Sequence, residues 1–316
     1  MTNDLQQQIR RLAAERRAII LAHNYQPDEI QALADFTGDS LELSRKAAQV
    51  EAEIIVFCGV YFMAETAALL NPTRTILLPD TAAGCPMADM INAEQLRQLK
   101  QQHPGAVVVC YVNSTAEVKA ESDICCTSAN AVPVVRSLPP QQPVIFVPDQ
   151  HLGHFVQERT GRPMIIWPGY CPTHMRIQEK DIAAARHAHP GALVLAHPEC
   201  SQPVRAAADQ VLSTGQMCRY AAASDAAEFI IATEAGILYR LRRENPGKRF
   251  HRASARALCP NMKKITLEKI RWSLQHRAPV VAIADAGVQT RARRAMDRML
   301  AIAAEAPPAR PPANSP

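Results

Sequence analysis

Three Cys-Pro pairs, Cys85-Pro86, Cys171-Pro172 and Cys259-Pro260, punctuate the chain at intervals of 86 and 88 residues, and none of the other six cysteines is followed by proline. Upstream of each pair a short apolar run ends abruptly in polar side chains. The runs are Ala18-Ile19-Ile20-Leu21-Ala22-His23-Asn24-Tyr25-Gln26, Ala106-Val107-Val108-Val109-Cys110-Tyr111-Val112-Asn113 and Ala192-Leu193-Val194-Leu195-Ala196-His197-Pro198-Glu199. Taking His23, Tyr111 and His197 as equivalent tips, the distances to the Cys-Pro pair are 62, 60 and 62 residues. The last two runs are introduced by one tetrapeptide, His103-Pro104-Gly105-Ala106 and His189-Pro190-Gly191-Ala192. A further apolar run falls between tip and cysteine in every copy, at 54–57, 144–147 and 229–232. Spacing this regular marks one supersecondary unit used three times.

The unit reads as strand, helix, strand, helix, strand. Unbroken apolar runs indicate strands buried on both faces, and strands alternating with helices imply parallel sheets whose ligands bind beyond the carboxyl ends. The expected fold is therefore α/β, with three pseudo-threefold-related α/β/α modules around a central site. Leu5, Ile9, Leu12 and Ala13 fall at helical spacing, so residues 1–17 read as a helix packed on the first module. The modules are expected at 18–100, 101–186 and 187–303, the last including C-terminal helices, with 279–284 as a closing strand or helix. Residues 304–316, rich in proline, are expected to be a disordered tail.

A chain of 316 residues with 47% apolar side chains can furnish such cores. It has no apolar run of membrane-spanning length, and its start is polar with charges of both signs, so neither a span nor a secretory signal is indicated. Cytoplasmic placement is expected. The net charge of +5 is dispersed, which suits a small anionic substrate better than nucleic acid. The absence of a G-x-G-x-x-G or Walker sequence gives no support to a nucleotide cofactor. Nine cysteines in such a chain argue for metal or redox chemistry in a reducing compartment, although ordinary burial accounts for about half of them.

Proline after cysteine suits the first helical position and leaves the sulfur at a helix N-terminus, where the dipole favours thiolate. Three lone cysteines tens of residues apart do not match the paired spacing of a closed structural zinc site. Three thiolates about a pseudo-threefold axis can instead hold a 4Fe-4S cluster and leave one iron open as a Lewis acid. Dehydration or condensation without net electron transfer is the chemistry indicated. A cluster-dependent hydro-lyase and a non-catalytic iron-sulfur sensor are the competing readings, and the polar strand tips favour an enzyme.

Beyond the repeat, the chain resembles the quinolinate synthase family from about Arg17 to Lys269. The resemblance rests on His23-Asn24-Tyr25-Gln26, Gly38-Asp39-Ser40, Phe62-Met63-Ala64-Glu65-Thr66-Ala67, Tyr111-Val112-Asn113, Ala116-Glu117-Val118-Lys119-Ala120, Cys126-Thr127-Ser128-Ala129-Asn130, Pro148-Asp149 with Leu152-Gly153, Cys171 with His174, His197-Pro198-Glu199-Cys200, Ser213-Thr214-Gly215 and Cys259-Pro260-Asn261-Met262-Lys263. It implies condensation of iminoaspartate with dihydroxyacetone phosphate to quinolinate, releasing phosphate and two waters, in de novo NAD biosynthesis. L-aspartate oxidase would supply the iminoaspartate. It also implies a 4Fe-4S cluster on Cys85, Cys171 and Cys259, in agreement with the repeat. Glu199 and Tyr25 would be the main acid/base pair, assisted by His197 and Tyr111, with Glu199 raised toward working pH by burial and histidine titrating near it. His23, Ser40, Asn113, Ser128, His174 and Thr214 would bind substrate, with a bond to a cluster sulfur as an alternative for His174. Ser213-Thr214-Gly215 departs from the serine- and glycine-rich version expected of the family, which leaves open which of the two hydroxyls reaches substrate. Lys119, Lys263 and Lys264 would add positive potential or lie solvated on the surface. With only Cys259 in its segment, a redox switch of paired cysteines is not expected there.

Overall fold

The computed structural model describes residues 2–303, so the expected tail lies outside the described residues. Its strands form three sheets of four. The first holds β1 (Ala18–His23), β2 (Phe36–Gly38), β3 (Ile54–Cys58) and β4 (Thr75–Leu77); the second β5 (Val107–Tyr111), β6 (Ile124–Cys126), β7 (Val144–Val147) and β8 (Ile165–Ile166); the third β9 (Leu193–Ala196), β10 (Gln210–Val211), β11 (Glu228–Ala232) and β12 (Arg249–Arg252). All pair in parallel, in the orders β2-β1-β3-β4, β6-β5-β7-β8 and β10-β9-β11-β12. The central strands β3, β5 and β7 are buried throughout, as unbroken apolar runs require.

The α/β architecture of three like units is thus present, with one correction: each sheet has a fourth strand. The edge strands β2, β6 and β10 are two or three residues long, too short for any periodicity to reveal. A repeated carboxylate clasp holds them. Asp35 Oδ2 accepts from the Ile20 N–H at 2.7 Å, Asp123 Oδ2 from Val108 at 2.8 Å and Asp209 Oδ2 from Val194 at 2.7 Å, each aspartate 15 residues beyond its partner. The aspartates' own N–H groups donate back to the carbonyls of those residues at 2.9, 3.1 and 2.9 Å. Each clasp fixes the register of an edge strand only two or three residues long.

An apolar cluster runs continuously through the first two sheets. The third sheet has a core on each face, Leu195, Phe229 and Ile231 on one and Val194, Ala196 and Ile230 on the other, following strand alternation. The C-terminal helices, grouped by chain order with the third module, bury their apolar faces elsewhere. Helix Leu267–His276 lies against the N-terminal helix Thr2–Glu15, and helix Ala286–Leu300 against helix Ala116–Ala120 and β6. Leu267, Ile270, Met296 and Met299 join the cluster of the first two sheets. Between these helices, Val280 makes one antiparallel bridge to Leu77 at the edge of the first sheet.

Candidate active site

In each sheet the strand order reverses beside the first strand, and a crevice opens there beyond the carboxyl ends. The polar tips stand at these three places. His23 ends β1 with Tyr25 two residues on, Tyr111 ends β5 with Asn113 two residues on, and His197 follows β9 with Glu199 two residues on. All six line a single cavity of about 160 Å³, whose walls also include Ser40, Ser128, Thr214, His174, Cys85, Cys171 and Cys259. Every site residue expected from the sequence therefore faces one space.

Ser40, Ser128 and Thr214 hold equivalent places, 88 and 86 residues apart. In the first and third modules the residue before them does the capping. Asp39 accepts from the Leu41 and Glu42 N–H groups, Ser213 from Gln216, and a reciprocal capping box completes each. Ser213 also bonds Asp39 Oδ2 at 3.2 Å, whereas Thr214 lines the cavity and accepts from Asn24 Nδ2 at 3.0 Å. The Gly215 N–H donates to the same Asp39 oxygen at 3.2 Å, and a Cβ on Gly215 would lie 2.5 Å from it. Only glycine allows the first and third modules to approach this closely.

Glu199, 4% exposed, is the hub of the site. Tyr111 donates to its Oε1 at 2.5 Å, and His174 Nδ1 lies 2.7 Å from its Oε2. His174 Nε2 is 2.8 Å from Thr233 Oγ1, which is 2.6 Å from Tyr25 Oη. A path Tyr25–Thr233–His174–Glu199–Tyr111 thus links the two tyrosines, with Thr233 behind the cavity wall, and its middle members have the hydroxyl–imidazole–carboxylate order of a hydrolytic triad. The His197 ring stacks on His174 with centroids 4.8 Å apart, and its Nε2 is 3.2 Å from Ser128 Oγ.

These contacts correct two expectations about charge. Burial alone would raise Glu199, but the His174 and His197 rings and the hydrogen bonds from His174 and Tyr111 outweigh it and hold the carboxyl below its usual range. Burial brings His23 and His197 down to about 3, so both are neutral imidazoles rather than groups titrating near working pH. Burial and the Glu199 charge push Tyr25 and Tyr111 well above the ordinary tyrosine value, which keeps both protonated.

The Cys-Pro pairs lead into single 3₁₀ turns, Ala88–Met90, His174–Arg176 and Asn261–Lys263, rather than α-helices. Such turns carry little aligned dipole. Burial pushes Cys85 up to about 12 and raises Cys171, with backbone N–H groups of the turns pulling only part of the way back. A thiolate set by a helix dipole is therefore not what the turns provide; they aim the sulfurs. The three Cys-Pro cysteines are partly exposed as residues and line the cavity, whereas the other six cysteines are buried. The Cys85 thiol feels the charge of Cys259, and Cys171 that of Cys85.

Thr233 and Glu234 escaped the sequence reading. Buried Glu234 accepts from the Cys259 N–H at 3.1 Å and the Gly236 N–H at 2.7 Å and pairs with Lys263 at 3.0 Å, tying the third cysteine loop to the end of β11. The polar tip of the apolar run at 229–232 was the available signal. Lys119 lies wholly buried, its Nζ bonded to the Ser114 carbonyl and 5.5 Å from the Phe62 ring centroid, so it is neither a surface lysine nor part of the cavity wall.

Fold and site together define a triplicated α/β enzyme whose three sheets end in one cavity carrying acid–base groups and three free thiols. The sequence model described as "Quinolinate synthetase A protein" matches residues 7–301. Proteins named quinolinate synthase are similar over nearly their whole lengths. One from Dehalococcoides mccartyi (strain CBDB1) is 58% identical over 294 residues, covering 93% of this chain and 97% of that protein. One from Geobacter metallireducens is 54% identical over 298 residues, covering 94% and 97%, and one from Methanoregula boonei is 54% identical over 298 residues, covering 94% and 98%. The chain belongs to the quinolinate synthase family.

Proposed function

We propose that this chain condenses iminoaspartate with dihydroxyacetone phosphate to form quinolinate, phosphate and two waters, serving de novo NAD synthesis in the cytoplasm, with an L-aspartate oxidase supplying the imine. The observation that carries this reading is the joining of three module tips and three thiols in one cavity, with the two tyrosines, His174 and Glu199 of the path on its wall, in a quinolinate synthase family chain. The residues present fit a 4Fe-4S cluster, because of the nine cysteines these three alone line the cavity, one from each module's Cys-Pro loop. Cys85, Cys171 and Cys259 would hold it, and when bound it would supply an open iron as a Lewis acid for a hydroxyl or carboxylate.

The protein's own groups divide the remaining work. Tyr25 and Tyr111, both protonated, act as donors at the two ends of the path, and ionised Glu199 accepts the Tyr111 hydrogen bond and balances charge that develops on His174. Thr233 orients His174 between Tyr25 and Glu199. Ser40, Ser128 and Thr214 offer hydroxyls from three sides for the substrates' anionic groups. Asn113 Oδ1 is buried without a partner at the cavity, so a substrate N–H or O–H satisfies it. Neutral His23 and His197 make hydrogen bonds without adding charge.

Anaerobically purified protein, supplied with both substrates, should form quinolinate and contain about four irons per chain. Cys85→Ala should lose the iron and the product, while Cys58→Ala keeps both. Colourless active protein would remove the cluster from the proposal, and iron-loaded protein that forms no quinolinate would remove the reaction.

A further inference from the structure

On the third sheet, away from the cavity wall, two histidines and a glutamate converge. Glu228 begins β11, His251 lies on β12, and His189 closes helix Glu179–Ala188. His189 Nδ1 stands 3.2 Å and His251 Nε2 2.7 Å from the same carboxylate oxygen, Glu228 Oε1, and the three ligand atoms all lie within 4.8 Å of one another. The other oxygen, Oε2, accepts from Arg249 at 2.8 Å. The imidazoles stack with centroids 3.5 Å apart, and the side chains of His189, Glu228 and His251 are 30%, 18% and 27% exposed, within reach of ions in solution.

We propose that this cluster is a site for a divalent transition-metal ion of the zinc type. Two imidazole nitrogens and a carboxylate oxygen are a set that zinc accepts, and ligands about 2.0 Å from a tetrahedral ion stand about 3.3 Å from one another. The separations already present are close to these, and the stacked rings must turn apart about their side-chain bonds for both in-plane lone pairs to meet one ion. The ion replaces the His251–Glu228 hydrogen bond and the His189–Glu228 contact, each imidazole carrying its proton on the outer nitrogen and turning a lone pair inward. Arg249 keeps Glu228 monodentate and holds its orientation, and water fills the fourth place at this half-exposed edge.

The fold itself does not call for these side chains. The second module has the same turn, His103-Pro104-Gly105-Ala106, yet its strand register puts Pro143 and Ile165 where the third has Glu228 and His251. A histidine ending the helix is common to both turns; its two partners are confined to the third. An ion there would staple the turn into β9 to the start of β11 and to β12.

The test is calorimetric titration of zinc into the full-length protein purified anaerobically, compared with Glu228→Gln and with the double variant His189→Ala/His251→Ala. All are first checked for unchanged circular dichroism. The wild type should bind one more zinc than either variant, or bind it at least tenfold tighter. Its melting temperature should rise on zinc addition where theirs does not. With no more than one zinc per chain bound, the first shell seen by X-ray absorption should contain nitrogen and oxygen only. Equal zinc uptake by all three proteins, or sulfur in that shell, overturns the site, because the ion has then gone to thiols.

Discussion

At the residue scale, the chemistry of the cavity depends on which groups keep a charge after burial. Glu199 keeps one because the His174 ring and the Tyr111 hydroxyl stand against it, while for His23 and His197 burial outweighs the attraction of Glu199. Thr233→Val removes one hydroxyl from the path with little change of shape. It should lower kcat about a hundredfold, the low end of a lost acid–base contact, with KM within about twofold. An unchanged kcat would show that protons do not pass by way of His174. The neutral histidines also set a pH dependence. The folded protein keeps them unprotonated down to about pH 3, whereas in the unfolded chain they take up protons below about 6.5, so stability falls as pH drops through that window. Between pH 7 and pH 5 the loss should be about 2 kcal/mol per histidine. Urea unfolding at the two pH values, repeated on His23→Gln/His197→Gln, measures it, and equal losses in both proteins would count against the assignment. The polar residues after each first strand were legible one by one. Their charge states were not, because each depends on partners brought from other modules.

At the scale of elements, the aspartate clasps and the helix caps decide where the short pieces lie. Asp123→Ala leaves the Val108 N–H without its acceptor inside the sheet and should cost about 1–3 kcal/mol in urea unfolding. Asp35 and Asp209 recur at the same offset, so the same substitution there tests whether the three clasps are equivalent. Gly215→Ala puts a methyl group against Asp39 and should cost about 1–3 kcal/mol while loosening the contact of the first and third modules. Limited proteolysis of the two proteins reads the second effect. The clasps leave only a faint trace in the sequence. A lone aspartate 15 residues after a strand residue belongs to no local pattern, and its partner is defined only once the chain has turned back.

At the scale of the molecule, three sheets of one topology share a cavity, and the last two helices bind the first two modules from outside. Met296, fully buried among residues of those modules, should cost about 2–5 kcal/mol when changed to Ala, although it follows the third sheet in the chain. Thermal unfolding checks this, and a negligible shift would show that helix Ala286–Leu300 contributes little to their shared core. The sequence by itself determined the triplication, the parallel strands, the polar tips and the three distinctive cysteines. All of these are written in local periodicity and in spacing, which the chain carries before it folds. Tertiary structure alone decided that Thr233 joins Tyr25 to His174, that Glu199 is held ionised, that Ser213 caps while Thr214 faces the cavity, and where the final helices dock. Each of these is a meeting of groups distant in the chain, and its free energy exists only when burial and proximity are established together.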